Sequence, residues 1–341
     1  MIPQVALNVL KSRHLHISLT LSAMKIDPKV IYSPDYDIHF MGFEKLHPFD
    51  TRKYSRAYSL AQETLGRRLE RNTLCPKSEV SQDDLLIIHT AGYLSSLKST
   101  SVIARALELP ILATVPYMLL NTRLLAPMRL GVQGTLFAAH EALVNGLAIN
   151  LSGGYHHASC ARGEGFCLYA DVPLAIEKLR IEGLLRPDEQ AIIIDLDAHQ
   201  GNGHERIYHG KHENFIFDMY NQAIYPMDAF ARERIDYGIP LNSGCNGRMY
   251  LDLIRHKLPE ALSRVKRPGI AFYIAGTDIY EDDLLGNMKV PEADIIERDR
   301  FVLKTLMDAQ IPTVMVQGGG YSKDSYRMVA AAVQYAFETW G

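Results

Sequence analysis

No two of the four cysteines (Cys75, Cys160, Cys167 and Cys245) stand at CxxC spacing, so neither a disulfide framework nor a zinc ribbon is indicated. Reduced thiols in a cytoplasmic protein are the simple reading. Nor does any run approach the roughly 18 apolar residues of a membrane helix. The best, ILATVPYMLL (111–120), is short and carries Pro116. The opening MIPQVALNVL lacks a basic segment ahead of its apolar stretch, and Lys11, Arg13 and His14 follow it, which argues against a secretory signal. Charge of one sign is also missing: Lys+Arg of 36 against Asp+Glu of 39 gives −3, so no bulk field favours DNA, RNA or an anionic membrane. Repeats and low-complexity linkers are absent too.

What is present is a 47% hydrophobic chain of 341 residues, enough for a large core and within reach of one α/β domain. Apolar runs predict strands at LLIIH (85–89), LAINL (147–151), AIIID (191–195), FIFDMY (215–220), IAFYIA (270–275) and TVMVQ (313–317). Helical spacing appears in LAIEKLRIEGLL (174–185) and EADIIERDRFVLKTLMDAQ (292–310). Strands alternating with helices predict a parallel sheet covered on both faces. The polar chemistry follows the strands: SGGYHH (152–157), LDAHQGNG (196–203), GTDIYEDD (276–283) and GGGY (318–321). In open α/β sheets, ligands bind outside the carboxyl ends of the strands, so these loops are expected to meet on one rim.

Asp195, Asp197 and His199 carry acid to the end of a buried strand, where a carboxylate survives only if paired, hydrogen-bonded or bound to a metal. Residues i and i+2 of an extended chain point to one side, so Asp197 and His199 can reach one ion, and Asp278 can supply a third ligand. Two oxygens and one nitrogen suit zinc with an open position, although such ligands also accept iron(II) or cobalt. Taken alone, DAH reads equally well as an Asp–His hydrogen bond beside a turn. His156 and His157 follow two glycines, whose turn can aim both rings into one cavity as proton acceptor and donor. Taken alone, paired histidines are more often surface residues; convergence on the rim reverses that preference. Tyr321, after Gly318, Gly319 and Gly320, can present its phenol as an oxyanion donor. GNGHER (201–206) lacks both the third glycine of GxGxxG and the GK[ST] of a P-loop, which excludes phosphate binding there.

Together with YSPDYDIHFMGFEKLHPFD (32–50), GEGFCLYAD (163–171) and AGTD (275–278), these motifs resemble the histone deacetylase family of the arginase-deacetylase superfamily. Within it the likeness is to the class IV branch, in a bacterial-type form, and it covers roughly residues 30 to 335. The resemblance implies an α/β three-layer sandwich with a central, mainly parallel sheet. A single deacylase domain over 29–341 would follow an N-terminal extension, 1–28, of unassigned role. It implies Asp197, His199 and Asp278 as zinc ligands, and His156, His157 and Tyr321 as catalytic groups, with His157 the usual base and acid. Asp195 and Asn202 would orient the two histidines from behind. Gly154, Gly165, Phe166, Tyr225, Gly319 and Gly320 would line the tunnel for a lysine stem and its acyl group. Asp195 and Asp218, with main-chain groups near Asp197 and His199, would hold a structural potassium.

Asn202 stands where many relatives have aspartate; an amide fixes the ring but cannot stabilise imidazolium by charge, so a lower pKa is expected for His157. The glycine loop reads GGGY where class IV members commonly have serine before two glycines. The class IV likeness implies removal of long-chain fatty acyl groups from lysine in a protein or peptide, with weaker deacetylation. Three rivals were weighed. An acetylpolyamine amidohydrolase would share the chemistry but place acidic groups at the tunnel mouth. A manganese ureohydrolase needs DAHxD and SxDxDxxDP, where this chain reads DAHQG and GTDIYEDD. A non-catalytic acyl-lysine reader should have lost a ligand, a histidine or the tyrosine, and all are present.

Overall fold

A computed structural model describes residues 24–38 and 49–341. Within them the chain forms β1 (Lys29–Ile31), β2 (Thr73–Leu74), β3 (Leu147–Asn150), β4 (Gln190–Asp195), β5 (Phe215–Asn221), β6 (Tyr237–Leu241), β7 (Pro268–Ile274) and β8 (Thr313–Val316). They pair in one eight-stranded sheet, order β2-β1-β3-β8-β7-β4-β5-β6, every pair parallel.

Successive side chains on a strand face opposite ways, and here each face has its own core. Ile192 and Ile194 pack with Tyr273, Met315, Ile254, Leu306 and Val333 on one side. Ala191 and Ile193 pack with Phe272, Val314, Leu136, Ala139 and Ile176 on the other. Burial on both faces is why these strands read as continuous apolar runs.

The connections sort by direction. Steps toward the β2 edge run through helices Lys53–Leu65, Gly247–Leu262 and Glu292–Asp308, all packed on the first face. Steps toward the β6 edge run through Ala126–Asn145, Asp171–Ile181 and Asn202–Ile207 on the second. A single crossover hand requires this segregation. β4 and β7 are neighbours whose onward connections leave by opposite faces, so a crevice opens beyond their carboxyl ends.

The expected strands at 147–151, 191–195, 215–220, 270–275 and 313–317 are present, with ends shifted by a residue or two. LLIIH (85–89) is not a strand. Ser81 caps the short helix Gln82–Leu85 by accepting from the Asp84 N–H at 3.0 Å, and Leu86 to Ile88 continue as turn. Leu85 alone of the leucine pair is buried. The two expected helices form as Asp171–Ile181 and Glu292–Asp308, the first stopping ahead of Gly183. Residues 1–23 of the expected extension, and 39–48 of the YSPDYD motif, lie outside the described residues. Met24 and Ile26 pack against the first core, and the Asp27 N–H donates to the Asn145 carbonyl at 2.8 Å.

Candidate active site

The loop after β3 turns through Gly153 and Gly154, both at φ +80. A side chain at Gly154 would collide with the backbone of Gly318, so the close approach of the β3 and β8 loops requires glycine there. Asp171 ties this turn down: its carboxylate accepts from the N–H groups of Gly154 at 2.8 Å and Tyr155 at 2.9 Å, and from the Thr135 hydroxyl at 2.7 Å. His156 and His157 then enter the crevice with ring centroids 4.0 Å apart.

The two rings have different partners and opposite charge preferences. His156 Nδ1 lies 2.9 Å from Asp195 Oδ2, and His157 Nδ1 lies 2.8 Å from Asn202 Oδ1. Burial opposes charge on His156, but Asp195 and Asp197 outweigh it and lift the imidazole to about 9. Burial, joined by the charges of His156 and His199, holds His157 well below the ordinary histidine value. Burial is the first cause of this shift, and the hydrogen bond to Asn202 opposes it.

Asp197, His199 and Asp278 are buried, and one potential donor atom from each lies within 4.8 Å of the others. His199 Nδ1 sits 3.1 Å from Asp197 Oδ1 and 2.8 Å from Asp278 Oδ2. The opposite oxygens are already used: Gly319 N–H donates to Asp197 Oδ2 at 2.6 Å, and Ala198 N–H to Asp278 Oδ1 at 2.8 Å. Asp197 Oδ1 also accepts from the His199 N–H at 3.0 Å, and it converges with Asp278 Oδ2 on the imidazole nitrogen. Buried carboxylates in this arrangement fit a divalent cation.

Tyr321 packs its ring edgewise against His199 and Phe166, at centroid distances of 6.2 and 5.8 Å. Burial, then Asp197 and Asp278, pushes its phenol well above the usual range, so it keeps its proton for donation. Its position comes from Asp283, whose Oδ2 accepts from the Tyr321 N–H at 2.6 Å.

Gly154, Gly165, Phe166 and Gly319 line an apolar cavity that also borders His156 and Tyr321. Tyr225 stands edgewise against His157 at 5.2 Å instead. Gly320 turns away: its open side faces Thr277, Ser325 and Lys53. Asp195 and Asp218 are paired in register across β4 and β5, and among the described residues Asp218 Oδ1 meets no hydrogen-bond donor other than the Glu205 carboxyl, should that be protonated. The side chains of Asp197 and His199 are committed to the triad, leaving only their backbone for any second cation.

Three supporting groups were not read from the sequence. Lys53 is fully buried and donates to the carbonyls of Gly318 at 3.2 Å and Gly319 at 3.3 Å. Burial pushes it down to about 8, against the attraction of Asp278 and Asp197. Arg298, also fully buried, donates from Nη1 to the carbonyls of Leu196 at 3.2 Å and Gly276 at 2.7 Å, bracing the ends of β4 and β7 from behind. Glu164 accepts from Asn202 Nδ2 at 2.9 Å. Arg298 did leave a signal, a charge three residues after Ile295 and four before Val302, on the helix's apolar face.

The histone deacetylase domain model matches residues 47–337. Histone deacetylase 2 of Arabidopsis thaliana is 41% identical over 327 residues, covering 94% of this chain and 80% of the relative. Among solved structures, the HDA15 HD domain superposes with a TM-score of 0.71 at 18% identity, over 93% of this chain and 90% of that chain. An HDAC homolog complexed with SAHA gives 0.71 at 21%, over 92% and 84%. At such identities the structural likeness bears on the fold alone. Domain match and sequence identity together place the chain in the histone deacetylase family, among metal-dependent amidohydrolases of the arginase-deacetylase fold.

Proposed function

We propose that this protein is a class IV-type lysine deacylase that removes long-chain fatty acyl groups from proteins or peptides, with deacetylation the weaker activity. The observation that carries this reading is the cavity beyond the metal-ligand triad. Besides Gly154 and Gly319 it is walled by Leu107, Leu109, Leu112, Leu124 and Met128, an almost wholly apolar lining. An acetyl group leaves such walls unused, whereas a fatty tail buries apolar surface at about 25 cal/mol per Å². Asparagine at 202 supports the class IV branch, and four free thiols suit the cytoplasm. Among the described residues no helix is long and apolar enough to cross a membrane.

Asp197, His199 and Asp278 would hold zinc, with iron(II) or cobalt as substitutes. When bound, the ion supplies Lewis acidity, lowering the pKa of water toward about 7 and polarising the acyl carbonyl. His157, neutral through the physiological range, accepts the proton of the attacking water at Nε2 and returns one to the departing lysine amine. His156, held cationic by Asp195, contributes positive potential beside the developing oxyanion, and Tyr321 donates its phenolic proton in a hydrogen bond to that oxygen.

The test is hydrolysis of one peptide carrying acetyl-lysine or myristoyl-lysine. Myristoyl cleavage should exceed acetyl cleavage, and Tyr321→Phe should abolish both. Met128→Trp, which adds bulk to the apolar wall of the cavity, should lower myristoyl cleavage by about tenfold or more while affecting acetyl cleavage far less. Acetyl preference in the wild type, or equal loss of both activities in Met128→Trp, would sink the acyl-chain reading. Preference for acetylspermidine over either peptide would favour the polyamine alternative.

Asp195 and Asp218 would hold a structural potassium. Burial, then Asp195 and Glu205, pushes the Asp218 carboxyl well above its usual range, so charge there calls for a cation. The thermal midpoint should rise with added potassium but not with equal tetramethylammonium, and Asp218→Asn should erase the difference. A response identical for both cations would exclude the site.

A further inference from the structure

Asn202 has His157 on one side and a carboxylate on the other. Its Oδ1 is 2.8 Å from His157 Nδ1, and its Nδ2 donates to Glu164 Oε1 at 2.9 Å. The amide is buried, with 1% of its surface exposed, so water offers it no substitute partners. We propose that Glu164 is a positioning residue that sets the tautomer of His157 through the Asn202 amide. This rests on the reading of His157 as the proton acceptor.

A carboxylate only accepts hydrogen bonds, so Glu164 selects the nitrogen end of the amide. The oxygen end must then face His157, where it accepts from Nδ1–H. A neutral imidazole with its proton on Nδ1 has a bare Nε2, the lone pair a base needs. Turned by half a revolution, the amide would press its oxygen against Glu164 and its nitrogen against Nδ1. Both contacts would then be wrong, and the ring proton would move to Nε2. An aspartate at 202 would offer an acceptor at either end. Asparagine makes orientation a variable, and Glu164 removes it.

The surroundings suit this role. Glu164 is built into a short turn, its N–H donating to the Cys167 carbonyl at 3.0 Å and its carbonyl accepting from the Cys167 N–H at 2.9 Å. Gly165 follows at φ +52, where a side chain would strike the His157 ring, so the turn lies directly against the imidazole it serves. Arg162 Nη2 pairs with Glu164 Oε1 at 2.8 Å and keeps the carboxylate in place. Asp228 is a poor stand-in. It lies 3.4 Å from Asn202 Nδ2 and is occupied by Arg206 at 2.5 Å and by the Ala231 N–H at 3.1 Å.

The test uses full-length, zinc-loaded protein labelled with 15N-histidine. Long-range proton–nitrogen correlation reads the His157 tautomer, with His157→Ala identifying its signals. The wild type should show Nδ1–H. Glu164→Ala should show mixed tautomers and lose about 10- to 100-fold in kcat on the acetyl-lysine peptide, with KM nearly unchanged. Glu164→Gln, which keeps an oxygen acceptor, should restore the Nδ1–H tautomer and most of kcat. A pure Nδ1–H tautomer in Glu164→Ala would overturn the proposal, as would equal kcat losses in the alanine and glutamine variants. Full activity in His157→Ala, with a tautomer that still responds to Glu164→Ala, would overturn the base assignment and leave the lock standing.

Discussion

Replacement of His157 by alanine is expected to lower kcat by about 10²- to 10⁴-fold, the usual worth of a positioned base, with KM changed far less. The expectation follows from the asymmetry between two adjacent rings. His156 faces the Asp195 carboxylate and is lifted to about 9, which favours the charged ring over one with a free lone pair. His157 faces a neutral amide, is buried, and has two potentially cationic rings for neighbours, so it stays unprotonated. A divalent ion on the triad adds positive charge and pushes His157 in the same direction. Lowering the pH should not protonate His157 until well below its ordinary value of 6.5, and the acidic limb of kcat/KM should lie below that pH. An acidic limb above 7, or an alanine variant with more than a tenth of the wild-type kcat, would remove His157 from the role.

Arg298→Ala should be among the most damaging substitutions away from the cavity. The guanidinium has no exposed surface and pairs with Asp299, Nε at 2.9 Å and Nη2 at 2.8 Å. Asp299 in turn accepts from the Tyr273 hydroxyl at 2.5 Å. Removing one partner leaves the other buried and uncompensated, at a cost of about 3–5 kcal/mol, visible as a lower urea midpoint. The same change frees the carbonyls of Leu196 and Gly276, one residue before Asp197 and two before Asp278. Metal affinity should therefore fall by about 10- to 100-fold as well. The double variant Arg298→Met with Asp299→Leu separates the two effects. It should recover much of the stability, because no charge is left stranded, but not the affinity, because the carbonyl brace is still missing. Wild-type metal affinity in the double variant would show that the brace contributes nothing to the triad.

The parts of this protein legible in its sequence are those whose physics is local. β4, β5, β7 and β8 are buried on both faces, so their apolar runs announce them without any knowledge of their neighbours. DAH marks the site although it lies just past β4 in a bend and not in extended chain, with the His199 N–H donating to Asp197 Oδ1 at 3.0 Å, and glycines mark where one loop must pass against another. LLIIH was misleading because a short apolar run does not distinguish a strand from a capped helical turn; the Ser81–Asp84 contact decides it. β6 was missed for a related reason. Its YGIPL alternates buried and exposed residues and contains a proline, which suits only the sheet edge it occupies.

What only the tertiary structure decided is which distant groups stand behind the site. Lys53 meets the Gly318 carbonyl across 265 positions of chain, and Arg298 meets Leu196 across 102. Neither carries a motif, because a buried cation is specified by the carbonyls around it and not by its sequence neighbours. Glu164 reads as a loop acid until Asn202 is seen beside it. Triad and histidines were written in motifs that follow strands, because the loops that carry them start from those strands' carboxyl ends. Their protonation and rigidity depend on burial and on long-range partners, which exist only once the sheet has brought the loops together.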